Sequence, residues 1–178
     1  MEYEVLLNAR RSIRSYKENM TVSKETIEEM IKAAQKAASW KNSQTARYYV
    51  ALTEEAIQAV RAALPGFNQN STVNACAYII TAFETKRAGF DREGNPDNEL
   101  GDEWGAYDLG LANENMILKA CELGLDTLIM GLRDADALRA YFGIPASQQV
   151  AAVISVGYRT ADPAMPKRKP LEDVAVFK

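Results

Sequence analysis

The sequence predicts an α+β protein, a layered α-β-α sandwich folded as a single domain over residues 1–178. About four short runs rich in β-branched and aromatic residues alternate with helical stretches too numerous for one face of a sheet. No internal repeat or linker divides the chain. A chain of 178 residues can also bury roughly 70% of the surface its unfolded form exposes, enough for a true core.

Residues 4 to 9 predict a short helix ending before a basic cluster. Ser23 is the natural N-cap of the next helix, with Val22 placed to staple onto Ile27. Ile27, Met30, Ile31, Ala34, Ala37 and Ala38 repeat at helical spacing, which carries that helix to about Ser39. Arg47 to Thr53 predicts a strand, and Glu54 to Leu64 a helix stopped by Pro65-Gly66. Tyr78 to Phe83 predicts a strand buried on both faces.

Lys86 to Asp102 is polar and contains Gly89, Gly94, Pro96 and Gly101, so it predicts a long surface loop of the kind that covers active sites. Asp91 to Asp97 has some spacing of a calcium loop but carries Pro96 where the turn glycine belongs. Trp104 to Leu123 is the longest helical stretch, ended by Gly124. Thr127 to Met130 predicts a short strand, Asp134 caps a helix to about Phe142, and Val150 to Tyr158 forms a further strand. Val174 to Phe177 could pair as a last strand.

Composition removes several function classes. Lys and Arg number 21 against 24 acids, a net charge of −3, so no global field favours nucleic acid. The apolar runs Ala75 to Phe83 and Val150 to Val156 fall short of the ~20 residues that span a bilayer, and the acidic N-terminus is unlike a signal peptide; a cytoplasmic protein is expected. Cys76 and Cys121 form no Cys-x-x-Cys pair, so buried free thiols are expected and a zinc site or other metal is not. Histidine is absent, which removes triad catalysis and the commonest general base, and points to chemistry borne by a cofactor. Neither a Gly-x-Gly-x-x-Gly nor a Walker pattern occurs.

Against that acidic background, Arg10, Arg11, Ser12 and Arg14 sit within five residues, and Lys167-Arg168-Lys169 forms a second basic knot. Either these charges are solvated at the chain ends, or the fold brings them together as a phosphate pocket.

Ala9-Arg10-Arg11-Ser12-Ile13-Arg14-Ser15-Tyr16, Lys41-Asn42-Ser43-Gln44, Gly124-Leu125-Asp126-Thr127, Gly157-Tyr158-Arg159 and Pro166-Lys167-Arg168-Lys169-Pro170 occur in that order. Together they resemble the nitroreductase family along almost the entire chain. The resemblance implies a homodimer with a central mixed sheet and flavin mononucleotide (FMN) at the interface. It implies electron transfer from NADH or NADPH to a small planar acceptor such as a nitroaromatic, a quinone or another flavin. Arg10, Ser12, Lys167 and Lys169 would hold the phosphate, with Arg11 in the same cofactor-binding block. Arg14 would stand near the flavin's pyrimidine edge and stabilise the charge gained on reduction.

By the same resemblance, Ser39, Asn42 and Gln44 reach the flavin from the partner subunit, Asn68 contacts it, and Ile129, Met130 and Gly131 lay backbone against its reactive nitrogen. No catalytic side chain is required. The chain departs from many relatives at Trp40, Lys41 and Thr45-Ala46, and lacks their inserted helices, leaving Lys86 to Asp102 and Trp104 as candidates to cover the site. The same contacts would serve a protein that stores or senses FMN, and related folds cleave flavin or remove halides.

Overall fold

The computed structural model describes residues 2–178 and contains one four-stranded sheet. Its strands are β1 (Ala46–Ala51), β2 (Ala77–Glu84), β3 (Asp126–Met130) and β4 (Gln148–Gly157), in the spatial order β1-β2-β4-β3. All three pairings are antiparallel. The mixed character expected of the sheet is confined to a single parallel bridge, Ser12 against Thr127, because the N-terminal segment lies along β3 without becoming a full strand.

The strand pleat sorts the core into two layers. On central β2, Tyr78 and Ile80 face one layer while Ala77 and Ile79 face the other, the period of two that a doubly covered strand requires. The first layer is closed by α3 (Glu54–Ala62) and α6 (Ala135–Phe142), through Val60 and Leu138, and by Ile13 and Tyr16. The second is closed by α2 (Lys24–Ala34) and α5 (Glu103–Glu122), through Ile27, Met30 and Met116. This is the expected sandwich. Burying such side chains contributes about 1.5 to 3 kcal/mol each relative to leaving them exposed.

Local capping follows the sequence. The Ser23 side chain accepts the Thr26 N–H at 3.1 Å, Thr53 accepts Ala56 N–H at 3.2 Å, and Asp134 accepts Ala137 N–H at 3.0 Å. Helix α1 (Tyr3–Ala9) precedes the basic cluster as expected.

Other expectations shift. Helix α2 ends at Ala34 instead of near Ser39, where the N–H groups of Lys36 and Ala37 bond back three residues and tighten the chain into an outward arm. Pro65-Gly66 both stops α3 and opens an unforeseen helix, α4 (Gly66–Ser71), since proline is well placed at a helix start. Val174 to Phe177 forms no strand; it follows a 3-10 turn at Leu171–Asp173 and stays largely exposed. Cys76 and Cys121 are free but only half-buried. Among the described residues no helix is long and apolar enough to cross a membrane.

Candidate functional site

The basic N-terminal segment is fastened to the sheet at alternate points. Ile13 and Tyr16 turn inward and are buried, Ile13 N–H donates to Thr127 O at 3.0 Å, and the Tyr16 hydroxyl lies 2.9 Å from Ser155 Oγ. Burial pushes the Tyr16 phenol far above its ordinary range, so it stays neutral. The ring requires glycine opposite: a Cβ on Gly157 would stand 2.6 Å from Tyr16 Cδ1. With those two side chains inside, Ser12 and Arg14 project to the surface.

Arg159 joins the chain's two ends. Its Nε donates to Asp126 Oδ1 at 2.7 Å, its backbone N–H to Asp126 Oδ2 at 2.8 Å, and Nη2 to the Ala9 carbonyl at 3.2 Å. Nη1 reaches Asp162 at 2.5 Å, and Ser15 Oγ meets Thr160 Oγ1 at 2.6 Å. Asp126 is buried at the start of β3, and its carboxylate is the main cause that raises the pKa of Arg159. Arg10 and Arg11 lie near enough to oppose the rise that burial imposes on the Cys121 thiol. Neither Arg10 nor Arg14 has a carboxylate partner among the described residues; Arg14 reaches only the Ser12 carbonyl, at 3.3 Å.

The arm after α2 is built differently. Lys41, Asn42 and Gln44 have φ of 46°, 55° and 49°. This left-handed region is tolerable for asparagine and unfavourable by roughly 1 kcal/mol or more for the others. Three bonds hold the strain: Trp40 N–H donates to Asp108 Oδ2 at 2.8 Å, Gln44 N–H to Ser39 Oγ at 3.1 Å, and Asn42 N–H to Ser39 O at 3.0 Å. Asp108 is buried on α5, and desolvation raises its pKa against the lowering effect of the Trp40 bond. The arm roofs a cavity of about 230 Å³ lined by Ser39, Gln44, Thr45, Tyr48 and Asp108. Burial pushes the Tyr48 phenol up to about 12.

Several buried polar atoms in this region have no partner. Trp40 Nε1, Ser43 Oγ, Thr45 Oγ1 and Tyr48 Oη are four of the eight such atoms among the described residues. A buried donor or acceptor left unpaired costs about 1 to 3 kcal/mol, so an arm of this kind is suited to a polar-edged ligand or a second protein surface.

Trp40 also stacks on Trp104 with ring centroids 4.5 Å apart, Trp104 Nε1 donates to Asn98 at 2.9 Å, and Lys41 pairs with Asp97 at 2.6 Å. The long loop is therefore tied to the arm.

Asn68 is buried in α4 and donates to Leu132 O at 3.4 Å, beside the β3 end that carries Ile129, Met130 and Gly131. Arg133 steadies that turn by donating to Gly131 O at 3.0 Å and Val150 O at 2.6 Å. Ile129 and Gly131 are exposed while Met130 is buried. Lys167 and Lys169 are exposed, and within the described chain no hydrogen bond or ion pair joins them to Arg10 or Ser12. The fold thus gathers Ser39 with Gln44, Asn68 with the β3 turn, and Arg10 to Arg14 with the start of β3, and bonds none of them to the tail lysines.

Asp108, Asp126, Arg133 and Arg159 as holders of these segments were missed from sequence. Asp126 had a signal, an acid entering the apolar run Thr127 to Met130; Asp108 had only its place on the buried side of α5.

The architecture and the site define an α+β protein of the nitroreductase fold. A provisionally named nitroreductase from Exiguobacterium sibiricum, solved in complex with FMN, superposes with a TM-score of 0.88 at 23% identity, over 100% of this chain and 98% of that one. A provisionally named NAD(P)H:FMN oxidoreductase from Staphylococcus epidermidis gives 0.86 at 21% identity, over 99% and 96%. The nitroreductase family model matches residues 7–158. A protein of Archaeoglobus fulgidus, provisionally described as an NADH dehydrogenase/NAD(P)H nitroreductase, is 31% identical over 157 residues, 86% of this chain and 83% of its own. This chain belongs to the nitroreductase family.

Proposed function

We propose that the protein is an FMN-dependent oxidoreductase, working as a homodimer, that takes electrons from NADH or NADPH and passes them to a small planar acceptor such as a quinone, a nitroaromatic or another flavin. The observation that carries this reading is the strained, polar-unsatisfied arm from Ser39 to Tyr48, in a family member whose basic segment also has unpartnered cations. When bound, FMN supplies the two-electron chemistry, which accords with a chain that has no histidine.

The chain's own residues bind and orient. Arg10 and Ser12, with Arg11 in the same segment, would hold the phosphate, joined by Lys167 and Lys169 of the tail. Ser39, Asn42 and Gln44 would offer donors and acceptors to the flavin ring of the partner subunit, Asn68 would add an amide beside the β3 turn, and Ile129 to Gly131 would offer backbone to the ring. Val176 and Phe177, exposed by 84% and 83%, support a tail that packs on the second subunit. Arg14 would supply a positive charge to stabilise the negative charge the ring gains on reduction.

Purified protein loaded with FMN should oxidise NAD(P)H when a quinone or nitroaromatic is added, and sediment as a dimer. Bound flavin without turnover would make it a storage or sensing protein instead. Arg14→Gln should keep FMN and lower the flavin midpoint potential; an unchanged potential at saturating FMN would remove Arg14 from this role.

A further inference from the structure

Between the arm and the long loop lies an open groove of about 840 Å³, lined by Trp40, Lys41 and Asn42 on one side and Lys86, Arg87 and Arg92 on the other. Its charge is mainly positive. Asp91 also lines it, but that carboxylate is committed to its own turn, accepting Asn95 N–H at 2.7 Å and Glu93 N–H at 3.0 Å. Lys41 is paired with Asp97. Glu84, which shares an adjoining cleft with Arg87, is held by Arg47 Nε at 3.3 Å and by Gln148 Nε2 at 2.8 Å. Lys86, Arg87 and Arg92 are left with no carboxylate partner among the described residues, in a protein of net charge −3.

The groove is also held in shape. Lys86 adopts φ of 54°, with its N–H bonded to the Asp102 carboxylate, and Gly89 is backed against Gly101 and Trp104 so closely that a Cβ there would collide with both. Trp40 walls the groove and continues through Trp104 to Tyr107 as a chain of ring contacts at 4.5 and 5.4 Å. Asn42 belongs both to the groove and to the arm proposed to meet the flavin, so the groove adjoins that arm.

We infer that this groove takes the phosphate-bearing part of the reduced nicotinamide dinucleotide, with the Lys86, Arg87 and Arg92 cations facing its pyrophosphate while the nicotinamide reaches the flavin. The inference rests on the function proposed above and adds where the donor's charge is read. Three exposed cations without partners, beside an aromatic wall and adjoining the redox site, suit a polyanionic donor better than an uncharged quinone or nitroaromatic. Because the contacts are exposed, their strength falls with ionic strength.

The test uses the FMN-loaded enzyme with NADPH, NADH and N-benzyl dihydronicotinamide, a donor with the reactive ring and no phosphate. In the Arg87→Ala/Arg92→Ala double variant, KM for both dinucleotides should rise about tenfold or more, the scale of one lost charge-assisted contact. The KM for the benzyl donor and the bound FMN should not change, and in the parent only the dinucleotide KM should climb with salt. Arg87→Glu should raise the dinucleotide KM further. Dinucleotide KM values unchanged in the double variant, with a parent that all three donors reduce, would overturn the groove assignment alone. So would an equal rise for the benzyl donor, or an effect confined to an anionic acceptor. A flavin-loaded parent that no donor reduces would overturn the functional reading itself.

Discussion

The N-terminal segment from Ala9 to Tyr16 and the arm from Ser39 to Tyr48 both carry residues proposed to meet the flavin, and they are stabilised in opposite ways. The first is stitched down by buried Ile13 and Tyr16 and by the Asp126–Arg159 pair, leaving Arg10 and Arg14 without a carboxylate partner among the described residues. The second keeps three residues in the left-handed region, and Trp40 Nε1, Ser43 Oγ, Thr45 Oγ1 and Tyr48 Oη are buried without partners. One segment, Arg11 Nε apart, is complete within the chain and offers charge; the other has four unmet polar atoms and offers shape and hydrogen bonds. Preorganised cations suit a phosphate, whereas strain and unmet polar groups collect where a ligand or partner completes the structure.

The largest effect should come from cutting the stitching. Asp126→Ala leaves the Arg159 guanidinium, 23% exposed, without the carboxylate that also receives its backbone N–H. Arg159 keeps Asp162 but loses two charge-assisted bonds worth about 1.5 to 3 kcal/mol each, so chemical denaturation should show a loss of about 3 kcal/mol together with loss of FMN binding. A variant as stable as the parent would mean that the segment is held by Ile13 and Tyr16 alone.

Next comes the charge the segment presents. Arg10→Ala should weaken FMN binding by about 1.5 to 3 kcal/mol, roughly ten- to a hundredfold, with little loss of fold stability because Arg10 has no carboxylate partner to abandon. Lys167→Ala should behave alike if the tail completes the phosphate site, and Arg92→Ala should leave FMN affinity unchanged. Equal affinities in all three, by fluorescence titration, would separate the basic segment from the phosphate.

A smaller effect sharpens the account of the arm. Asp108→Asn retains an oxygen to accept Trp40 N–H and removes a buried charge. The folded-state pKa of Asp108 is raised from 3.8, so the folded protein holds that proton more tightly than the unfolded chain does. Its ionisation therefore costs stability as pH rises from the ordinary value through the folded one. Thermal melts should put the variant level with or above the parent near neutral pH, about pH 7, with the gap closing toward about pH 4. A variant less stable at neutral pH would mean that the carboxylate's bond to the arm outweighs its desolvation.

Much of this comparison was legible in the sequence, for physical reasons that differ by element. Ser23, Thr53 and Asp134 act locally, through side-chain oxygens on N–H groups two or three residues ahead, so composition is enough to find them or the helix they start. The apolar composition of β2, which marks it as buried on both faces, and the glycine-punctuated loop are local patterns too. The turn after Ala34 was not legible, because Ala37 and Ala38 continue the helical apolar period and only tertiary placement of the arm, through Asp108 some 68 residues away, bends the chain there. The same holds for Arg159, whose partners Ala9 and Asp126 are distant in sequence. The basic segment itself was visible as residues, but its anchoring to Thr127 and Ser155 was not.

Hydrogen exchange read residue by residue, with and without FMN, tests the central claim most directly. The account predicts that the Ile13 and Lys17 amides, bonded to Thr127 O at 3.0 Å and Tyr158 O at 2.8 Å, are already protected without flavin and change little when it is added. Amides from Lys41 to Thr45 should exchange readily without flavin and become strongly protected with it. An arm whose protection is the same in both states, measured at saturating FMN, would contradict the claim that the flavin completes it.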